Sequence, residues 1–273
     1  MPASKRKHAT TCALRSIAWP DVPKNSMSDQ KNPPLFFVHV MKTGGATFRQ
    51  HVYNNYGPGE VYPDLQLDFK PDDLYRPNFR ISYLFALDSE RRAKIRAYMG
   101  HFPYVVGELL GIDPVTLTIL RDPVERTLSY LRHCKRYHPQ HRELSLEQIY
   151  ADPFYYPKFI ADHQAKVFSM TRADELISYM DEIVVDENRL RIACDNLEKV
   201  DVLGLHEHYD EFLDQIRARF GWRFEDVANW HVSEETLPVP EAFRRRIAAD
   251  NAADMAFYEY ARNLHARRRT TGQ

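Results

Sequence analysis

The sequence predicts an α/β fold: one domain built on a mostly parallel sheet with helices on both faces. Two observations carry this. Apolar, β-prone runs at Leu35–Val40, Val115–Leu120 and Asp201–Leu205 each lead into a turn or a helical period, and strands that alternate with helices pair in parallel. The length of 273 residues, with 44% hydrophobic and 27% charged residues, suits one large soluble domain better than two small ones.

The elements follow in chain order. Residues 1–33 are basic and polar without periodicity and read as a disordered leader, with Met27 a second candidate start. The domain is placed at residues 34–265. Leu35–Val40 is a strand, Lys42–Gly45 a glycine turn and the stretch after it a helix. Residues 57–80, rich in Pro, Gly, Asp and Tyr, read as a long irregular loop. Ile81–Phe85 reads as a short strand and Asp88 to about Ala97 as a helix. Val115–Leu120 is a second buried strand. Asp122 then suits an N-cap and Pro123 the first helical position, so a helix runs to about Arg136.

Further on, Asp181–Asp186 reads as a strand, Glu187–Val200 as an amphipathic helix and Asp201–Leu205 as a buried strand. A helix from His206 stops near Gly221, and a last one spans Pro240 to about His265. Residues 266–273 read as a flexible basic tail.

Composition excludes several classes. A net charge of -1 removes any global pull toward nucleic acid, so anion binding must be local. Cys12, Cys134 and Cys194 are few and widely spaced, which suggests neither a disulfide framework nor a metal site. No apolar run is long enough to span a bilayer. The expectation is a cytoplasmic protein.

Two constellations point to anion chemistry. The first is the turn with Lys42, Thr43, Gly44, Gly45, Ala46 and Thr47. Amides of a helix's first turn are a ready site for phosphate or sulfate, and Lys42 adds a charge beside them. The residues alone leave open a plain turn with a solvated lysine. A Walker loop fits poorly, because the glycines follow the lysine rather than precede it. The second is Arg121 at a strand end with Ser129 seven residues after Asp122. That spacing is two helical turns, so Ser129 shares the face of the cap and the pair could grip one phosphate. A third candidate is His101 after Gly100, a group in the pKa range a general base needs.

Together these segments resemble carbohydrate sulfotransferases that use 3′-phosphoadenosine 5′-phosphosulfate (PAPS). Phe36–Phe48 is similar to that family's lysine–glycine loop, Leu117–Leu131 to its 3′-phosphate segment, and Gly100–Tyr104 to the Gly-His segment of the heparan sulfate 2-O/6-O-sulfotransferase group. The resemblance spans about Pro34 to His265, and implies a P-loop-like fold, no metal, and a soluble, bacterial-type enzyme. Met41 stands where the family usually has proline and Ala46 where threonine is common. Neither departure touches Lys42.

The resemblance implies that Thr43–Thr47 hold the 5′-phosphosulfate and that Arg121 and Ser129 hold the 3′-phosphate. It further implies that Lys42 neutralises charge as 3′-phosphoadenosine 5′-phosphate (PAP) leaves, while His101 takes the acceptor's proton. Glu60, Asp64 and Glu108 are alternative carboxylate bases. For the acceptor, a carbohydrate or glycoconjugate, residues 132–142 offer Arg132, Lys135, Arg136 and Arg142 with three histidines and no acid. They suit an acidic glycan or, equally, a solvated helix end whose cations complement the dipole. Tyr53, Tyr56, Tyr62 and Tyr75 are candidates for stacking on sugar rings. Competing readings are a kinase with an atypical P-loop and a sulfotransferase-like module that binds nucleotide without turnover.

Overall fold

Four-residue and six-residue runs such as Leu35–Val38 and Val115–Leu120, buried at every position, can only be strands covered on both faces. A computed structural model describes residues 33–64, 66–68, 76–174, 178, 180–224 and 238–271. Cys12, Met27, Tyr75 and nearly all of the expected leader lie outside the described residues.

Among the described residues, five strands form one sheet: β1 (Leu35–Val38), β2 (Val61–Tyr62), β3 (Ala97–Tyr98), β4 (Val115–Leu120) and β5 (Val202–Leu205), in the order β2-β3-β1-β4-β5. Every pairing is parallel, with Leu35 opposite both Ala97 and Val115, and Leu117 opposite Val202. The helices are α1 (Gly45–Asn55), α2 (Arg76–Phe79), α3 (Ile81–Phe85), α4 (Ser89–Lys94), α5 (Val105–Leu109), α6 (Pro123–Tyr137), α7 (Leu146–Tyr150), α8 (His163–Ser169), α9 (Glu187–Glu198), α10 (Tyr209–Phe220), α11 (Glu241–Asp250) and α12 (Ala252–Thr271).

Alternation along the strands makes two cores. Leu35 and Phe37 of β1 join Phe48 and Val52 of α1 with Phe212 and Ile216 of α10 on one face. Phe36 and Val38 face the other way, onto Leu128, Phe168, Leu197 and Phe257 of α6, α8, α9 and α12. After β1 the chain builds β2 and β3 on one side, then crosses to place β4 on the other. The strand order therefore reverses between β1 and β4, and ligands of open parallel sheets bind beyond the carboxyl ends at such a reversal. Lys42 and Arg121 flank it.

Several expectations are corrected. Ile81–Phe85 is helical, since its buried residues Ile81 and Leu84 lie three apart, a helical and not a strand spacing. The helix expected to reach Ala97 ends at Lys94, and Ala97 pairs with Leu35 in β3. Asp181–Asp186 forms no strand. Ile183 and Val185 pack partly on the core while Val184 is 85% exposed, so the alternation is real but no strand pairs with it.

The last helix is two. It breaks at Asn251, whose amide donates to the Ile247 carbonyl and whose oxygen accepts from Asp162 N–H. Residues 266–271 are helical and not a loose tail. Arg268 donates to the carbonyls of Glu198 and Val200 and so ties the end of α12 to the end of α9. Among the described residues, no helix is long and apolar enough to cross a membrane.

Candidate active site

The turn after β1 is built to open the start of α1. Lys42 adopts φ 69° and Gly44 φ 102°. The left-handed region is free for glycine but costs a lysine about 1 kcal/mol or more. Thr43, fully buried, donates its hydroxyl to the Val40 carbonyl at 3.0 Å and pins the bend. The first intrahelical bond runs from Phe48 N–H to the Gly44 carbonyl, so the amides of Gly45, Ala46 and Thr47 precede the hydrogen-bonded ladder. Gly44 supplies no side-chain cap and the first turn holds no acid. The positive end of α1 is thus left for an anion from outside.

A second strand end meets this loop. Arg121, the first residue after β4, donates from Nη1 to the Lys42 carbonyl at 3.3 Å. Burial, and then the Arg121 charge, lower the Lys42 ammonium from its usual range. The Arg121 backbone is clamped at two points by the Gln164 side chain. Its N–H donates to Oε1 at 3.1 Å and its carbonyl accepts from Nε2 at 2.8 Å. Gln164 is in turn fixed by Asp254 of α12, whose carboxylate accepts from the amides of Gln164 and Ala165 at the start of α8.

Asp254 is 1% exposed, and burial, partly offset by Arg126, pushes its pKa up to about 7. Asp254→Ala should orphan two buried amides. The expected loss of stability is about 1–3 kcal/mol, read as a lower melting temperature. An unchanged melt would show that water replaces the carboxylate.

The third strand end adds residues the sequence reading did not single out. His206 follows β5, and a Cβ built on Gly44 would lie 3.6 Å from its ring and 3.5 Å from that of Tyr209. The two rings therefore wall the glycine turn. Burial, and then Arg121, lower the pKa of His206.

His101 comes three residues after β3, beside the exit of β1. Its Nδ1 lies 2.8 Å from the His39 carbonyl. A carbonyl only accepts, so Nδ1 carries the proton and the neutral ring presents its lone pair at Nε2. The ring is held between two others, His39 at 4.0 Å and Phe79 at 5.0 Å between centroids. Burial, then the Arg49 and Lys42 charges, lower its pKa to about 3. His39 and Arg49 also escaped the sequence reading. Arg49 of α1 reaches the Met99 carbonyl at 3.2 Å and His39 Nδ1 at 3.4 Å.

The alternative carboxylates are placed less well. Glu60 stands before β2 and accepts from Gly57 N–H. Glu108 lines a cavity of about 270 Å³ with Pro114 and Asp201, at the amino ends of β4 and β5. Asp64 is on the correct edge but accepts the amides of Gln66, Gly59 and Leu67. These outweigh its burial and hold its carboxyl below the usual range.

Ser129 lies partly exposed on α6. Of the three candidate acceptor cations on that helix, Arg132 acts electrostatically on Arg121. The Lys135 ammonium donates to the Leu144 carbonyl and secures the turn after the helix, and Arg136 is exposed. Tyr62 is in the core and Tyr53 bonds the Pro63 carbonyl, so both pack rather than present rings to a sugar. Among the described residues, no three His, Cys, Asp or Glu side chains cluster in a way that would hold a metal ion.

The profile of the galactose-3-O-sulfotransferase family matches residues 8–270. Heparan-sulfate 6-O-sulfotransferase 1 of Gallus gallus is 34% identical over 113 residues, 37% of this chain and 28% of that protein. The Mus musculus protein of the same name is 36% identical over 113 residues, covering 37% and 27%. Heparan-sulfate 6-O-sulfotransferase 2 of Gallus gallus is 23% identical over 290 residues, 86% of this chain and 67% of that protein. The two shorter matches therefore span less than a third of those relatives.

Proposed function

The chain belongs to the galactose-3-O-sulfotransferase family, and from that premise we propose that it transfers a sulfuryl group from PAPS to a hydroxyl of a carbohydrate or glycoconjugate. The observation that carries the proposal is the meeting of three strand ends. The open start of α1 with Lys42, the Arg121 guanidinium and the His101 imidazole all lie at one edge of the sheet.

The residues fit a donor with two separate anionic groups. The amides of Gly45, Ala46 and Thr47 with the Thr47 hydroxyl would hold the 5′-phosphosulfate. Arg121, with Ser129, would hold the 3′-phosphate. Bound PAPS supplies an activated sulfuryl group, and the protein's part is then positioning and electrostatics. Lys42 stabilises the charge that grows on the leaving phosphate oxygen. His101 takes the proton of the attacking hydroxyl at Nε2. Arg132, whose charge acts on Arg121, would meet an acidic glycan.

Thermal shift with PAP against ATP plus magnesium tests the donor site, followed by labelled sulfate transfer to a panel of glycans. Stabilisation by PAP at micromolar concentration and transfer to at least one glycan are expected. Stabilisation by ATP and not PAP would overturn the assignment in favour of a kinase. PAP binding with no transfer to any neutral or acidic glycan would instead favour a non-catalytic module.

A further inference from the structure

We propose that His39 is the positioning residue for His101: its ring and backbone together fix the orientation and tautomer of that imidazole and couple it to the donor loop. The inference rests on the reading of His101 as the base. The carbonyl of His39 accepts the His101 Nδ1 proton at 2.8 Å. Its ring lies against the His101 ring at 4.0 Å, inclined by 28°, and Phe79 closes the other side at 12°. Two rings and one hydrogen bond hold the imidazole in one orientation, with its proton on Nδ1.

The same His39 ring is the floor of the donor loop. A Cβ on Gly45 would fall 2.2 Å from His39 Nε2 and 2.3 Å from Cδ2, so only glycine lets the start of α1 settle on it. Its Nδ1 faces Arg49 at 3.4 Å. Arginine only donates, so Nδ1 accepts and the proton of neutral His39 sits on Nε2. His39 is 6% exposed, and burial, then the charges of His101, Arg49 and Lys42, hold its pKa well below the usual range. It is therefore a neutral plate rather than a proton carrier.

Among the described residues, the charged and titratable groups facing His101 include Lys42 of the loop, Arg49 of α1, His39 after β1 and, from α8, His163. Burial is the largest cause of its low pKa. Removing the His39 ring admits water, so the His101 pKa should climb toward the ordinary imidazole value of about 6.5.

The test compares His39→Ala, His39→Gln and His39→Phe in the full chain. His39→Ala should lower kcat/KM about 10–100-fold, the range for a misplaced reacting group. Its acid limb should move to higher pH while PAP affinity stays within about threefold, a factor too small to reflect a lost phosphate contact. His39→Phe, which keeps the plate, should recover most of the rate and the low acid limb, and His39→Gln should not.

Nitrogen-15 NMR of the His101 ring is the readout independent of sulfotransfer. The native ring should show the Nδ1–H tautomer and stay neutral into acid; the alanine variant, which keeps the His39 carbonyl, should keep that tautomer but titrate near the ordinary value. A native-like titration in His39→Ala would overturn the proposal whether or not the protein transfers sulfate. Loss of PAP binding in step with the rate would overturn it too, by showing that the residue merely supports the loop. If these NMR shifts appear in a protein without sulfotransfer, the positioning role stands and the proposed reaction falls.

Discussion

Lys42→Ala should lose about 10²–10³ in kcat, the usual loss for one preorganised transition-state contact, while the affinity for PAP falls far less. In the proposed reading the ground-state phosphate groups would be held by the α1 amides and Arg121, none of which depends on the lysine side chain. What the ammonium adds is strongest when the sulfur–oxygen bond breaks and charge gathers on the bridging oxygen. Its surroundings favour that moment. Burial and the Arg121 guanidinium lower its pKa from 10.5, which makes the ammonium a stronger hydrogen-bond donor than a solvated lysine.

The sign of the pH effect follows. The charged form is the useful one, so turnover should fall as pH rises through a value below that of a free lysine. Lys42→Arg should recover little, because a guanidinium has a different reach and a fixed planar geometry. Steady-state rates at saturating donor, paired with PAP titrations, decide the matter. A variant with native kcat and only a raised KM would assign Lys42 to ground-state binding and remove it from the chemistry.

How much of this was legible in the sequence depends on which elements repeat a pattern. Val115–Leu120 and the Asp122–Pro123 cap were readable because a fully apolar strand and an N-cap each leave a local signature, and both match the observed bounds. The lysine–glycine turn was readable for the same reason. β2 and β3, two residues each, are too short to show any alternation. β3 takes its register from Leu35 and Phe36 of β1, and β2 takes its own from β3, partners that no local window contains.

The site was half legible. Lys42 and Arg121 sit at strand ends that the pattern locates, and a hydrogen bond joins them. Gln164, Asp254 and His39 could not be found this way. Gln164 grips Arg121 from 43 residues away and Asp254 grips Gln164 from 90, and a histidine inside an apolar run reads as packing. One signal was available for His39: Gly45 follows an already sufficient Gly44, and a second glycine implies a close neighbour over the helix start. That neighbour is the His39 ring.

His101→Ala should cost about 10²–10⁴ in kcat/KM for the acceptor, the range for a lost general base, with PAP binding unchanged. The difficulty is that a pKa of about 3 makes a weak base. Its causes resolve the difficulty. After burial, the causes that lower it are the Arg49 and Lys42 charges, and an anionic donor bound beside Lys42 would offset the second. The free protein thus keeps His101 neutral throughout the physiological range, and each negative charge placed in the loop raises its basicity.

The neutral form is the active one, so activity should disappear as pH falls through the pKa. The acid limb measured with the donor bound should lie above about 3, and the limb should vanish in the alanine variant. Turnover unimpaired in His101→Ala would remove it from the mechanism and leave Asp64, the one alternative carboxylate after a strand end, to be tested by Asp64→Asn. The double variant Lys42→Ala with His101→Ala separates the cases further. If both residues serve one transition state, the combined loss should fall well short of the product of the single losses.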